Sequence, residues 1–446
     1  MTVHTRANKP TGPAIDFAGE HMNISRRRRT TIPGTGSSGS APAFLLLVIA
    51  IFAVVWQQGH AQGQATGQTP GRGRGIQPNL EHPILAIGSP APDFSLPGVD
   101  GKTHTLREYA GSRILAVVFE CNHCPVSQLY ESRIDKLYKE YRGKGVNFVA
   151  INPNNPKSIR LNELGYTDVN DSLAEMKIRT AFRRRELPYL YDGETQGVSI
   201  KFGVVATPHI YLFDRERKLQ YQGRIDDNQR EELVKSQDAR NAIEAMLAGR
   251  PVPVTDTHAF GCTTKWMSKA TGVEQEWAKI QAEPVTVDMV GAEDLKKLRA
   301  NATGKVLLVT FWSTACSDCV SQFPDLETTY RMYRLRSFDF VTVATNPPNE
   351  APAVMDFLKK QYASSPNKQF ASADAASLQA AWGASWKPGS PFTMVIAPDG
   401  KVLYQKEGKL DILELRRMIL ANMPDTKSYI GQQAYWQAAV ADKKKK

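Results

Sequence analysis

One pattern occurs twice in this 446-residue chain, and it constrains the fold more than any other feature. An apolar run leads into Cys-x-x-Cys, and much later a Thr-Pro or Ser-Pro opens a second apolar run. The first copy reads Arg113 to Glu120, Cys121-Asn-His-Cys124, then Thr207-Pro208 before HIYLFD. The second reads Lys305 to Trp312, Cys316-Ser-Asp-Cys319, then Ser390-Pro391 before FTMVIAPDG. Cys121 lies 87 residues before Pro208 and Cys316 lies 75 before Pro391, a similarity that predicts two copies of one domain. The length suits two or three domains, and 41% hydrophobic content supplies each with a core.

From His82 onward apolar strands alternate with helical stretches. ILAVVFE, VNFVAIN, HIYLFD and KLQYQG read as strands, with helices predicted at Val126–Tyr141 and Arg240–Leu247. The second half repeats the order with VLLVTFW, a helix from Cys316 to Tyr333, FDFVTVATN, helical runs at Val354–Tyr362 and Ala375–Ala381, FTMVIAP, KVLYQKE and a last helix over Asp411–Asn422. This alternation predicts an α/β class with right-handed crossovers and a mainly parallel sheet centre, closed in the second copy by a hairpin at Asp399-Gly400. The organisation expected is a signal peptide or anchor over 1–61, a linker over 62–82, a first domain over 83–260, a connecting segment over 261–283 with a short helix near Glu274–Gln281, a second domain over 284–424 and a basic tail over 425–446.

In each copy the first Cys is expected at a strand-to-helix junction, where free helix N–H groups and the positive dipole end favour a thiolate. A second Cys three positions on lies within one turn, close enough to displace a mixed disulfide formed by the first. Thr207-Pro208 and Ser390-Pro391 are candidate cis peptides, loops that would offer backbone N–H and C=O groups to an extended substrate segment. No cofactor is called for.

Both copies resemble thioredoxin-fold domains. Phe311-Trp312, Cys316-Ser-Asp-Cys319, Pro324 and Ser390-Pro391 resemble TlpA-type thiol-disulfide oxidoreductases. Phe119-Glu-Cys-Asn-His-Cys-Pro125, Tyr189-Leu-Tyr-Asp, Thr207-Pro208, Gly223-Arg-Ile-Asp-Asp-Asn228 and Phe260-Gly-Cys-Thr-Thr-Lys-Trp266 resemble the peroxiredoxin-like redoxin group (AhpC/TSA-type, with a CNHCP motif). The resemblance implies a central mixed sheet flanked by helices in each of two tandem domains, Cys121 and Cys316 as nucleophiles, Cys124 and Cys319 as resolving thiols, and Pro208 and Pro391 as cis-prolines. It further implies exchange of disulfides with thiol- or disulfide-bearing protein substrates, and an electron donor or acceptor that the sequence does not identify.

The departures bear on tuning. Asp318 between the second pair would oppose a thiolate by like-charge repulsion, in a site that has Ala315 before the first Cys and Trp312 closing the strand. His123, if protonated, would stabilise the first site's thiolate and make that pair the better oxidant. The expectation is that the potentials differ and that electrons pass from the second domain to the first. Cys262 reads either as an inert packed thiol or as a third redox thiol. His209 reads as a strand residue, Arg183–Arg185 as a solvated helix face, and Trp382 and Trp386 as packing residues.

Other chemistries fit less well. Zinc ligand pairs sit on turns about 15–20 residues apart, whereas these pairs are nearly 200 apart; no metal is expected. Permanent structural disulfides suit an exported protein but not a helix start. A thiol peroxidase of the peroxiredoxin kind would carry Pro and Thr or Ser seven and three residues before the reactive Cys; this chain has Ile114 and Val118 before Cys121, and Val309 and Ser313 before Cys316. A scaffold that uses the fold without turnover is the remaining alternative.

The N-terminus reads as an address. Arg26–Arg29 precede Ala43–Trp56, an apolar run within signal-peptide length and short of the about 20 residues of a membrane span. Small residues at Gly59 and Ala61 suggest cleavage after Ala61. Export to the periplasm or exterior follows, with anchoring through residues 43–56 as the alternative and Met22 as another possible start. Gln62–Asn79, rich in Gly, Gln, Thr and Pro, reads as a flexible linker. Of the net charge of +11, the first 61 residues and Lys443–Lys446 hold four each, so the folded part is only mildly basic. No nucleic-acid module is visible.

Overall fold

A computed structural model describes residues 82–387 and 389–444. The predicted signal or anchor, residues 43–56 within it, and the linker up to residue 81 lie outside the described residues. No helix among the described residues is long and apolar enough to cross a membrane.

The first half begins with a small hairpin of β1 (Ser95–Pro97) and β2 (Thr103–Thr105). There follow β3 (Ile114–Phe119), α1 (Pro125–Tyr141), β4 (Val146–Asn152), α2 (Leu173–Arg183), β5 (Tyr189–Tyr191), α3 (Gly197–Phe202), β6 (Ala206–Thr207), β7 (His209–Phe213), β8 (Leu219–Gly223) and α4 (Asp238–Leu247). β3, β4 and β5 run parallel, and β7 and β8 complete the sheet antiparallel in the order β5-β4-β3-β7-β8. ILAVVF is buried along its whole length, as a central strand covered on both faces requires. Val118, Ile134 and Ile243 belong to the core on one face, and Val117, Phe202 and Phe213 to that on the other.

The second half repeats the plan. After β9 (Cys262–Thr263) and α5 (Ala270–Gln281) come β10 (Asp288–Val290), α6 (Ala292–Ala300), β11 (Val306–Trp312), α7 (Ser317–Tyr333), β12 (Phe338–Ala344), α8 (Ala351–Lys360), β13 (Asn367–Phe370), α9 (Ala375–Trp382), β14 (Phe392–Ile396), β15 (Val402–Glu407), α10 (Ile412–Asn422) and α11 (Gln432–Lys444). The sheet order is β10-β13-β12-β11-β14-β15, parallel as far as β11 and antiparallel beyond it. The repeat extends to register: Phe119 of β3 faces His209 of β7, and Phe311 of β11 faces Phe392 of β14. Each Thr-Pro or Ser-Pro therefore enters its strand next to the end of the strand that leads to the cysteines.

Three expectations need correction. The segment expected as a basic tail over 425–446 contains α11, whose Trp436 and Ala439 are buried in the core beside α10. Gln432 donates to Pro125 O at 2.7 Å, Tyr435 to Glu131 at 2.7 Å and Trp436 Nε1 to Tyr166 O at 3.1 Å, so the last helix clasps the first domain. The apolar side of Tyr435, Trp436, Ala439 and Val440, not the terminal lysines, decides how this segment folds. The connecting segment does not begin at Gly261, because Cys262 and Thr263 pair with β6 and Trp266 is buried. Of Arg183–Arg185 only Arg184 is exposed as expected: the carboxylates of Glu131, Glu120 and Asp135 draw Arg183 and Arg185 inward.

The two domains share an interface. Tyr333 donates to Thr167 O at 2.8 Å, Arg417 pairs with buried Asp168 at 2.6 Å, and Ile159 and Leu164 join the second domain's core.

Candidate functional site

The first site is built where β3 meets α1. Helix α1 starts at Pro125, whose fixed φ and missing N–H suit the first helical position. The helix cap is consequently Cys124, not Cys121: its sulfur accepts the Ser127 N–H at 3.4 Å and also the Cys262 N–H at 3.3 Å. This overturns the placement expected of Cys121, which lies one turn earlier, with its N–H donated to Ser127 Oγ at 3.2 Å. In the second site the expected placement holds. Cys316 caps α7 and its sulfur accepts the Cys319 N–H at 3.1 Å. Cys316 and Cys319 form a disulfide; Cys121, Cys124 and Cys262 are free thiols.

Asp171 pins the first Cys-x-x-Cys loop from below. Its Oδ1 accepts the N–H groups of Asn122 at 2.8 Å and His123 at 3.2 Å. Its Oδ2 contacts His123 Nδ1 at 2.7 Å and accepts Asn154 Nδ2 at 2.8 Å. Burial opposes charge on His123, but the charge and hydrogen bond of Asp171 outweigh it and raise its pKa. Burial likewise opposes ionisation of Asp171, yet His123, Asn154 and the Asn122 N–H hold its carboxyl below the usual range. Protonation of the buried His123 beside the thiols is thus favoured by Asp171.

That charge and the helix start act on one sulfur. Burial resists a charged Cys124, but hydrogen bonds from the Cys121 and Cys262 thiols, the His123 charge and the Ser127 N–H overcome it and hold its pKa well below the usual thiol value. Burial, the bond to Cys124 and the Asp171 charge push Cys121 up. Cys262 is pushed up first by its hydrogen bond to Cys124 and then by burial. Of the three thiols Cys124 is the most easily ionised, with the Ser127 and Cys262 N–H groups donating to its sulfur.

Thr207-Pro208 is the cis peptide among the described residues. The Thr207 hydroxyl lies 3.1 Å from the Cys121 sulfur and its carbonyl 3.4 Å from the Cys124 sulfur. Thr207 also pairs with Cys262 across β6 and β9. Ser390-Pro391 is trans, contrary to expectation. There the chain reverses before the proline, in a turn closed by Ser390 N–H to Lys387 O with Gly389 at φ +82°, and Pro391 O accepts the Gly408 N–H.

Gly261 permits this arrangement. Its φ is +158°, and a Cβ there would lie 2.0 Å from Thr207 O. Gly261→Ala is expected to cost about 1–3 kcal/mol in urea unfolding through backbone strain and to raise the Cys124 thiol titration, read as thiolate absorbance, by moving Cys262 away.

The other tuning candidates lie as follows. Trp312 is buried against Phe323 and Phe357, at ring separations of 5.0 and 4.9 Å, in the same cluster as Cys316 and Cys319. Asp318 is exposed in the first turn of α7, where solvent screens its charge. His209 is a buried strand residue bonded to Gln222 at 2.7 Å, its pKa pulled down to about 4 by burial. Sequence reasoning missed Asp171, Asn154 and Ser127. Cys121, His123 and Asp171 bring one ligand atom each within 4.8 Å of one another and could hold a metal ion; Asp171, however, already accepts four hydrogen bonds, which fits it for positioning the loop.

Fold and sites together define a class, two thioredoxin-fold domains in tandem, each with a Cys-x-x-Cys pair at a strand-to-helix junction. Residues 87–222 match the AhpC/TSA family and residues 281–417 match the Redoxin family. The chain belongs to the thioredoxin superfamily, with a peroxiredoxin-like domain followed by a TlpA-like one. It is 33% identical over 79 residues to the thiol-disulfide oxidoreductase ResA of Geobacillus thermodenitrificans (strain NG80-2), covering 17% of this chain and 44% of that protein. ResA of Geobacillus kaustophilus (strain HTA426) matches at the same identity and coverage, so the chain spans less than half the length of these curated relatives. Among solved structures, the hypothetical protein SMc02350 from Sinorhizobium meliloti 1021 is 33% identical, covering 42% of this chain and 98% of that one at a TM-score of 0.37.

Proposed function

We propose that the protein is an exported thiol-disulfide oxidoreductase with two dithiol sites, Cys121/Cys124 and Cys316/Cys319, that exchanges disulfides with thiol-bearing exported proteins. The observation that carries the reading is that each pair contributes one sulfur as a helix cap, Cys124 in the first site and Cys316 in the second. A thiolate held by helix N–H groups is the attacking species in exchange. We therefore assign attack to Cys124 and Cys316, with Cys121 and Cys319 as partners. Arg26–Arg29 followed by the apolar run 43–56 supports export.

A stabilised thiolate stabilises the reduced pair and raises its potential, so the first pair is the stronger oxidant and electrons run from the second domain to the first. A glutathione titration of the full chain, with alkylation and peptide mass spectrometry scoring each pair, tests both points. Both pairs are expected to cycle, the first nearer the about −180 mV of protein disulfide isomerase and the second nearer the about −270 mV of thioredoxin. Equal potentials would refute the direction of flow; pairs that never open or close would refute exchange altogether.

A second reading, thiol peroxidase, is favoured by the AhpC/TSA match and by the Thr207 hydroxyl on Cys121. Ile114 and Val118 stand where its peroxide-binding residues belong, and peroxide consumption by the reduced chain decides the matter.

A further inference from the structure

Cys262 lies outside both spans that match a family, 87–222 and 281–417, yet it is built into the first site. Strand β9 sets it opposite Thr207, and its N–H donates to the Cys124 sulfur at 3.3 Å. The three thiols differ in access. Cys121 is 3% and Cys124 0% exposed, whereas Cys262 is half-buried and lines a cleft of about 840 Å³ together with Glu163, Lys265, Arg336 and Tyr429. A protein substrate entering that cleft meets Cys262, while the pair that stores the disulfide sits beneath it.

We propose that Cys262 is the thiol through which the first site reaches its substrate, passing a disulfide between the buried Cys121–Cys124 pair and a protein dithiol in the cleft. The proposal rests on the exchange reading above. In the oxidising direction the Cys262 thiolate attacks Cys124 Sγ, forming Cys124–Cys262 and expelling the Cys121 thiolate, which takes up the proton that Cys262 gave away. A substrate thiolate then attacks the accessible Cys262 Sγ. A mixed disulfide forms and Cys124 leaves as a thiolate held by the Ser127 and Cys262 N–H groups; an acidic thiol is the better leaving group. The substrate's second thiolate attacks its own disulfide-bonded sulfur and displaces Cys262. Two electrons have moved: the substrate dithiol is oxidised and Cys121/Cys124 is reduced. The same steps in reverse reduce a substrate disulfide.

The test uses the full chain carrying Cys316→Ser and Cys319→Ser, so that only the first site reports. With Cys121→Ser added, oxidising glutathione is expected to give a tryptic pair in which the peptide ending at Lys265 is linked through Cys262 to the peptide holding Cys124. Cys262→Ser, by contrast, should still cycle Cys121–Cys124 with glutathione while its exchange with insulin slows by about tenfold or more. Free or merely glutathionylated Cys124 and Cys262 in the first variant, or an unchanged insulin rate in the second, would overturn the relay and leave exchange itself standing. A site in which Cys121–Cys124 never forms removes the exchange reading and the relay with it.

Discussion

A Cys124→Ser protein is expected to lose both the thiolate absorbance of the first site near neutral pH and all disulfide exchange at that site, whereas Cys121→Ser keeps the thiolate. The family resemblance assigns the opposite roles, so the experiment separates the two orders. Cys124 caps α1 and collects the Ser127 and Cys262 N–H groups; Cys121 faces the Thr207 hydroxyl and no helix end. Burial alone raises both thiols, and only Cys124 has enough donors to reverse that effect. A serine at 121 retains a hydroxyl that can still donate to the Cys124 sulfur. Absorbance at 240 nm against pH in the full chain with the second pair changed to serine reads this directly, and insulin reduction reads the exchange. Loss of the thiolate step in Cys121→Ser, with retention in Cys124→Ser, would restore the roles implied by the resemblance.

The strand and helix order was legible because runs such as ILAVVF and VLLVTFW are apolar throughout, as central strands covered on both faces must be. The position of the first helix start was open to reading as well. Pro125 follows Cys124 directly, and Pro is favoured at the first helical position, while Cys316 is followed directly by Ser317 and Cys319 by Val320. Two copies of one motif thus hide a shift of one turn between cap and cysteine. The clasp by α11 was signalled by Tyr435, Trp436, Ala439 and Val440 at helical spacing, a pattern masked by the attention that terminal lysines draw. Asp171 could not have been found. It lies 48 residues from His123 and is brought there by the loop before α2, and a buried carboxylate looks in sequence like any loop aspartate. The same holds for Asp168 and Arg417, 249 residues apart across the domain interface. Local patterns name elements and motifs; the charges that tune a thiol come from whatever the tertiary fold sets beside it.

Asp171→Asn is expected to destabilise the chain by about 3–5 kcal/mol, because removing one member of a buried ion pair strands the other. His123 and Asp171 are 2% and 0% exposed and 2.7 Å apart. The sign follows from the two shifts. Asp171 is depressed, so its contribution is present above its unfolded pKa of about 3.9 and fades as pH falls through the lower folded value. His123 is raised, so its contribution is complete below its unfolded pKa of about 6.5 and fades as pH rises through the higher folded value. The stability gap between wild type and variant should be widest at about pH 4–6.5 and narrow on either side. Urea unfolding across that range checks it. In the variant His123 has no counter-charge and loses its proton, and the Cys124 thiol titration moves up with it. His123→Gln gives the control, since it removes the imidazolium yet keeps a side-chain donor for Asp171. The same upward movement of Cys124 is expected, with a smaller loss of stability because Asp171, though deprived of its counter-charge, keeps the Asn122 and residue-123 N–H groups, Asn154 and the new amide as donors. If Cys124 titrates as in wild type in both variants, the His123 charge has no part in forming the thiolate, and the helix start and neighbouring thiols must hold it alone.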